Sequence, residues 1–473
     1  MAYYLYTTRW DVQASHGAHA SSNATREATG YEQGVTLEPT RKYLAYLPHS
    51  GFHNQRIALE NAFVLAYALN RTLLIPPIRL GEKPIRYVEY DTLSQYHELS
   101  GREGLEYCLH IPAYVSQPLE CLHYSESSYL PWAWLVDFTS IYPHVPHQHT
   151  PSISSTWSNT YLNLTNADIY TLKDEAPYQY RFVDVMSPAS RRQDRYQEMV
   201  HISRLLGIDE KLLQLGTLFG TTRLVLVNSD NLSIQDIVRR KMTFTNQDLL
   251  IVANAISQSL GYSFSAVHLR LGDGSFQSTN EITVNKVWLK LLHGVIGFSL
   301  SEICGLASQF GADVGDICYQ DEIKIGRRRG LPIVKQRPIA FQKNLPPANV
   351  TCRGLKHQNP KFERLNQPLF IATDLPSPST HSLLSVFRRI FPCIFFLGDF
   401  QAELKSLEEI RSPYDGVYLY PFILPFIDAL VASRAPSVVG TDKSTFSKFV
   451  KEILWVPPEH QTERGSRLTS LAD

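Results

Sequence analysis

Short apolar runs alternate with stretches of helical period along most of this chain, and the alternation is clearest near residue 43. Tyr43 to Leu47 is an apolar run rich in aromatics, suited to a buried parallel strand. Pro48 stops it, and Ser50-Gly51 supplies a turn in which Gly51 is the residue able to take a positive φ. From Asn54 the period changes. Ile57, Leu59, Phe63, Ala66 and Tyr67 fall near helical spacing, and Ala58, Ala62, Ala66 and Ala68 favour helix. Thr72 to Ile75 is a second strand, closed by Pro76-Pro77. The result is a βαβ unit with a polar loop at the carboxyl end of its first strand, the place where open α/β sheets bind ligands. Arg56 in the first helical turn, with the free N–H groups of that turn, makes an anion the natural guest.

Further along, residues 83–180 are aromatic and irregular, either an acceptor-side insertion or long surface loops. Thr222 to Asn228 reads as a strand and Asn246 to Ser259 as a helix. A second α/β half follows, with strands expected at Phe264 to Arg270, Pro368 to Asp374, Cys393 to Leu397 and Ser437 to Thr441. Helices are expected around Val284 to Leu306, from Thr380 to Ile390, from Phe422 to Arg434 and from Ser444 to Ile453. The pattern predicts an α/β protein of two doubly wound domains facing one another, at residues 41–260 and 261–473, after a flexible polar segment 1–40.

Composition narrows this picture. The chain has 473 residues, 44% hydrophobic, with 22 Phe, 25 Tyr and 6 Trp, enough for large cores and for two or three domains. A formal net charge of zero argues against a general nucleic-acid binder. The basic run Lys324 to Arg337 reads as a solvated loop, with an anionic partner or a targeting signal as the alternative. The cysteines, Cys108, Cys121, Cys304, Cys318, Cys352 and Cys393, form no CxxC pair or zinc-finger spacing with histidine. The 108 to 121 and 304 to 318 gaps suit local disulfides of a secretory compartment, and buried or free thiols remain the alternative. Sequons at Asn23, Asn70, Asn163, Asn231 and Asn349 permit such a location without demonstrating it. Met1 to Tyr6 opens no apolar core of signal-peptide length, and Val417 to Ala432 is broken by Pro421, Pro425 and Asp428. The expectation is a chain without a membrane segment.

The loops that carry chemistry stand at four strand ends: His53-Asn54-Gln55-Arg56, His268-Leu269-Arg270 through Asp273, Thr373-Asp374, and Gly440 through Ser447. Arg56 and Arg270 can clamp a diphosphate through charge-assisted hydrogen bonds. Ser444 and Thr445 can offer hydroxyls and main-chain N–H groups to phosphate. Ionised Asp374 accepts only, which matches the N1–H and 2-amino edge of guanine, and His268 can donate to a diphosphate or sugar hydroxyl. No G-x-G-x-x-G or G-x-x-x-x-G-K-[ST] loop is present, which disfavours NAD enzymes and P-loop ATPases. Each piece alone is ordinary; Thr373-Asp374, for instance, reads equally as a helix cap. Their order along the chain is what points to a sugar-nucleotide site.

That order resembles the GDP-fucose protein O-fucosyltransferase superfamily. Pro48 to Arg56 is similar to its first motif, a G-x-x-N-Q-R type turn. His268-Leu269-Arg270 with Asp273 resembles its H-x-R-x-x-D motif, and Ala372-Thr373-Asp374, Asp428 to Ala435 and Gly440-Thr441-x-x-Ser444-Thr445-Phe446-Ser447 resemble its third. The resemblance implies a GT-B fold of two Rossmann-like domains and an inverting transfer of fucose from GDP-fucose to a protein or glycan hydroxyl. It implies no cofactor, because arginine replaces a divalent metal as the charge stabiliser. Carried over, Arg270 holds the β-phosphate with His268 beside it, and Asp374 reads guanine. Ser444, Thr445 and Phe446 line the phosphate and base pocket, and Asn54 and Arg56 approach from the other domain. Where some members place a glutamate as base, this chain has His53; His53 and Asp273 are the two candidate bases. The alternatives are another nucleotide-sugar transferase of the same fold and a non-catalytic GDP-sugar or glycan binder. The superfamily points to the ER or Golgi lumen.

Overall fold

The computed structural model describes residues 41–102, 104–112, 114–152, 163–185, 195–310 and 348–455. The segment 1–40, the basic run Lys324 to Arg337, Cys318 and Asn23 lie outside the described residues. The first sheet has five parallel strands in the spatial order His147–His149, Thr72–Ile75, Tyr43–Tyr46, Leu212–Leu215 and Ile169–Leu172. Tyr43–Tyr46 is central, and chain order runs away from it on one side and returns on the other. Its carboxyl end is therefore a topological switch point. The helix Phe52–Ala68 that follows is buried at every position except Asn54, Tyr67 and Ala68, because it lies between the sheet and the helix Ser229–Lys241. The turn before it differs from expectation in one respect. Ser50 takes the left-handed conformation, φ 67°, while Gly51 stays at φ −72° as the helix N-cap.

The second sheet has four parallel strands, Ile394–Phe395, Leu369–Thr373, Ser265–Leu269 and Ser437–Gly440. Here the switch point falls between Ser265–Leu269 and Ser437–Gly440, with His268 in register with Gly440. Two small sheets complete the pattern: parallel Leu224–Val225, Tyr180–Val183 and Glu198–His201, and the antiparallel pair Ile78–Gly81 with Ser127–Leu130. The strand expected at Thr222 to Asn228 shrinks to Leu224–Val225. Asp184 takes the Val227 and Asn228 N–H groups, and the Asn228 side chain caps the next helix. The helix expected over Val284 to Leu306 is divided. Asn280–Lys290 runs into a π-helical turn Leu291–Ile296, Gly297 at φ 84° ends it, and a Ser299–Glu302 capping box starts Leu300–Gln309.

The two sheets are joined through apolar contact as well as chain. The helix Tyr420–Arg434 packs both on second-sheet strands and on Gln247–Ser259. Phe52 meets Phe426 at a ring separation of 4.6 Å, Phe244 meets Phe426 at 5.2 Å, and Phe449 meets Phe244 at 5.4 Å, within one buried cluster that runs across both halves. Buried Asp415 adds a polar fastening, accepting from Ser128 Oγ at 2.9 Å and the Tyr129 N–H at 3.1 Å. Cys108 and Cys121 are disulfide-bonded, as their spacing allowed, and so are Cys352 and Cys393. No helix among the described residues is long and apolar enough to cross a membrane.

Candidate active site

The second switch point is built by strand pairing. Thr441 extends the ladder beyond Gly440: its N–H donates to the His268 carbonyl at 3.1 Å, and its hydroxyl accepts from the Arg270 N–H at 3.0 Å. These bonds fix the main chain on either side of Leu269, and so aim His268 and Arg270 past the sheet edge. The Arg270 guanidinium is held by two carboxylates. Asp273 takes it bidentately, Nε to Oδ1 at 3.0 Å and Nη2 to Oδ2 at 2.6 Å, and Asp374 Oδ2 lies 3.3 Å from Nε. The Arg270 side chain is 38% exposed, so it remains open to solvent.

Asp374 is placed beside Arg270, with its carboxylate already occupied. Oδ1 accepts from the Leu271 N–H at 2.8 Å and Oδ2 from the Gly272 N–H at 3.0 Å. Gly272 permits this approach, since a Cβ there would lie 3.1 Å from Oδ2. Asp374 is thus a clamp on the 270–272 loop, a role that its residue type alone did not disclose.

His268 is buried, 6% exposed. Burial and the adjacent Arg270 charge push its imidazole down to about 3, so it is neutral over the physiological range. Its Nδ1 meets Ser447 Oγ at 2.7 Å, and its ring lies 5.2 Å from that of Phe446. Ser444 caps the helix Thr445–Lys448, its hydroxyl accepting the Ser447 N–H at 3.2 Å. Phe446 also faces His53, at 6.2 Å, and Thr445 Oγ1 donates to Asn54 Oδ1 at 3.4 Å. The first loop and the last therefore meet, and Asn54, His53, Phe446, His268 and Arg270 form one continuous wall.

Two residues of the first motif turn inward. His53 and Arg56 share a helix face with Glu60 that packs on Phe449, and both are buried, at 7% and 4% exposure. Arg56 Nη2 pairs with Glu60 Oε2 at 3.1 Å, Nε lies 3.4 Å from His53 Nδ1, and Nη1 is buried without a partner. Burial and the Arg56 charge hold the His53 imidazole well below its usual range. A group that binds a proton so weakly is poorly matched to general-base work near neutral pH, which corrects the reading of His53 as a base poised there. Asp428, from the third motif, lies in the helix Tyr420–Arg434, where burial pushes its carboxyl well above its ordinary value and leaves Oδ1 unpaired.

Thr441 and Ser447 are site residues that the sequence reading passed over. Both stand inside the Gly440 to Ser447 motif, and the signal was their position beside the strand carrying His268 and Arg270. Among the described residues no group of three or more His, Cys, Asp or Glu converges to hold a metal ion.

The family that this chain matches is one of glycosyltransferases. The chain belongs to the GDP-fucose protein O-fucosyltransferase family, whose model matches residues 43–453. O-fucosyltransferase 30 of Arabidopsis thaliana is 58% identical over 38 residues, which is 8% of this chain and 8% of the length of that protein. Among solved structures, POFUT1 in complex with GDP-fucose aligns over 89% of this chain and 97% of its own, at 12% identity and a TM-score of 0.37. POFUT1 in complex with GDP aligns over the same shares at 13% identity and a TM-score of 0.38.

Proposed function

We propose that this chain transfers fucose from GDP-fucose to a hydroxyl of a protein or glycan, with inversion and without a metal ion. Family membership supports the donor. The observation that carries the site is the meeting of His268 and Arg270 with Thr441 and Ser447 at the switch point of the second sheet. In this reading the acceptor oxygen attacks the anomeric carbon, the carbon–oxygen bond to the β-phosphate breaks, and its electron pair leaves with GDP. Arg270 and the neutral His268 donate to the oxygen that gains charge. Arg270 reaches phosphate by exchanging part of its pairing with Asp273, whose carboxylate, 59% exposed, then takes the acceptor proton. Asp374 keeps the Leu271 and Gly272 N–H groups in place, and reads the guanine edge with the lone pairs that these bonds and Arg270 Nε leave. Ser444, Thr445 and Phe446 line the donor pocket, and Asn54 approaches it from the first half; Arg56, buried and paired with Glu60, has to turn out of that face to reach phosphate.

The same reading assigns a GT-B arrangement, with 41–260 as the acceptor-side Rossmann-like domain and 261–473 as the nucleotide-sugar domain. The Cys108–Cys121 and Cys352–Cys393 disulfides support an oxidising, luminal compartment. The burial of His53 favours one second reading, a GDP-sugar binder that does not turn over. Calorimetric titration with GDP, UDP and ADP, with and without Mg²⁺, tests the proposal. GDP alone should bind, equally with and without the metal. Absence of binding to every nucleotide would overturn it, and GDP binding without fucose release would select the second reading.

A further inference from the structure

We infer that Ser447 is a positioning residue that sets the tautomer of His268, so that Nε2 carries the proton and faces the cleft. The inference rests on the proposed transfer for its purpose, though not for its geometry. Ser447 is 2% exposed, and its hydroxyl has one hydrogen to give and two lone pairs to share. The Thr441 N–H is shared between the His268 carbonyl and Ser447 Oγ, each at 3.1 Å, and the same hydroxyl oxygen lies 2.7 Å from His268 Nδ1. Among the described residues Ser447 Oγ has no further partner. If Nδ1 carried the proton, Oγ would accept twice and its own hydrogen would be buried with nowhere to go. With the proton on Nε2, Ser447 accepts from Thr441 and donates to Nδ1, and every group is matched.

Neighbouring residues hold Ser447 to this task. Its main-chain N–H is fixed by the Ser444 hydroxyl at 3.2 Å. Gly440 makes room for it, since a Cβ at that position would stand 2.8 Å from Ser447 Cβ and 3.1 Å from Oγ. His268 Nε2 makes no hydrogen bond with another described residue, and His268 lies at the carboxyl end of its strand, two residues before Arg270. A neutral Nε2–H there is a fixed donor to the departing diphosphate oxygen, and no proton need be transferred.

The tautomer can be read without turnover, by nitrogen-detected NMR of histidine-labelled full-length protein at pH 7, with His268→Gln assigning the signal. The expected spectrum shows His268 protonated at Nε2 alone. Ser447→Ala should bring in the Nδ1–H form and lower kcat for GDP release from GDP-fucose by roughly tenfold or more, with KM little changed. Ser447→Thr, which keeps the hydroxyl, should restore both the spectrum and the rate. A wild-type His268 protonated at Nδ1 would overturn the inference, and so would a Ser447→Ala protein with unaltered tautomer and kcat. If Ser447→Ala fails to fold, the wild-type spectrum decides. Failure of the functional reading is a separate result, seen as loss of GDP binding while the tautomer assignment stands.

Discussion

Asn54 and Thr445 stand 391 residues apart and touch through a 3.4 Å hydrogen bond from the Thr445 hydroxyl to Asn54 Oδ1. The contact closes the seam between the turn after Tyr43–Tyr46 and the helix after Ser437–Gly440. Each turn leaves the carboxyl end of a strand at a switch point, so the two positions where α/β sheets take ligands meet at this seam. Phe446, next to Thr445, bridges His53 and His268 across the same seam.

Arg270 lies in the loop after the strand of His268, with its side chain 38% exposed. Arg270→Ala should lower kcat by at least about 10²-fold, the scale of losing a transition-state donor. The partners it leaves, Asp273 and Asp374, are solvated enough that folding should hold. Steady-state turnover of GDP-fucose beside a circular dichroism melt checks both halves of the statement. Wild-type turnover by that variant would remove Arg270 from the mechanism.

Asp374 should matter for the loop before it matters for the base. Asp374→Ala strips the acceptors from the Leu271 and Gly272 N–H groups and should cost about 1–3 kcal/mol of stability. GDP binding should weaken along with it. Gly272→Ala tests the same clamp from the other side, because its Cβ would press on Asp374 Oδ2. Calorimetry with GDP on both variants should show matching losses if the loop geometry is what the nucleotide reads. Loss in Asp374→Ala alone would instead favour direct contact with guanine.

Glu60 holds two arginines, Arg56 at 3.1 Å and Arg239 at 2.7 Å. Removing it leaves Arg56 as an uncompensated buried charge, so Glu60→Ala should cost about 3–5 kcal/mol. Arg239→Ala leaves Glu60 Oε1 short of its donor on a side chain 3% exposed, while Arg56 still balances the charge, so it should cost less, about 1–3 kcal/mol. Urea denaturation of the two variants measures the difference. Equal costs would mean that Arg56 is relieved by a group other than Glu60.

Much of this arrangement was legible in sequence because it rests on strand ends. Thr72–Ile75 and Leu369–Thr373 are continuous apolar runs, and the polar residues directly after such runs sit where ligands bind. The strand His147–His149 was not legible. It reads His-Gln-His, and only packing of those rings with Phe63 and Phe138 makes it part of a sheet. Leu212–Leu215, the other neighbour of the central strand, was missed because Leu-Leu-Gln-Leu is too short a run to separate strand from helix by its period. The inward turn of Arg56 was also hidden. Helical spacing puts residues 53, 56 and 60 on one face, but nothing local says that Phe449 covers that face. Long-range partners of this kind, Ser447 for His268 above all, come only with the fold.

Buried imidazoles should make the protein acid-sensitive well above the carboxylate range. Burial pushes His49 and His268 down to about 3 and His97 and His149 down to about 4, and holds His53 well below its usual value. Each is neutral in the folded chain and takes up a proton near pH 6.5 once unfolded, so its contribution is complete above that pH and is lost as pH falls towards 4. Asp174 works the other way. Burial raises its carboxyl to about 6, so the folded state holds a proton that the unfolded state releases, and stability from this group falls as pH rises from 4 to 6. The five imidazoles just named against two carboxyls, Asp174 and the buried Asp428, leave a net uptake of about three protons on unfolding near pH 5, a slope on the order of 4 kcal/mol per pH unit. Urea denaturation at pH 7, 6 and 5 measures that slope. His149 stacks on Phe138 at 5.6 Å, away from the cleft, so His149→Phe should lower the slope by about one proton while leaving GDP binding unchanged. Stability that does not change between pH 7 and 5 would show that these rings reach water in the folded chain.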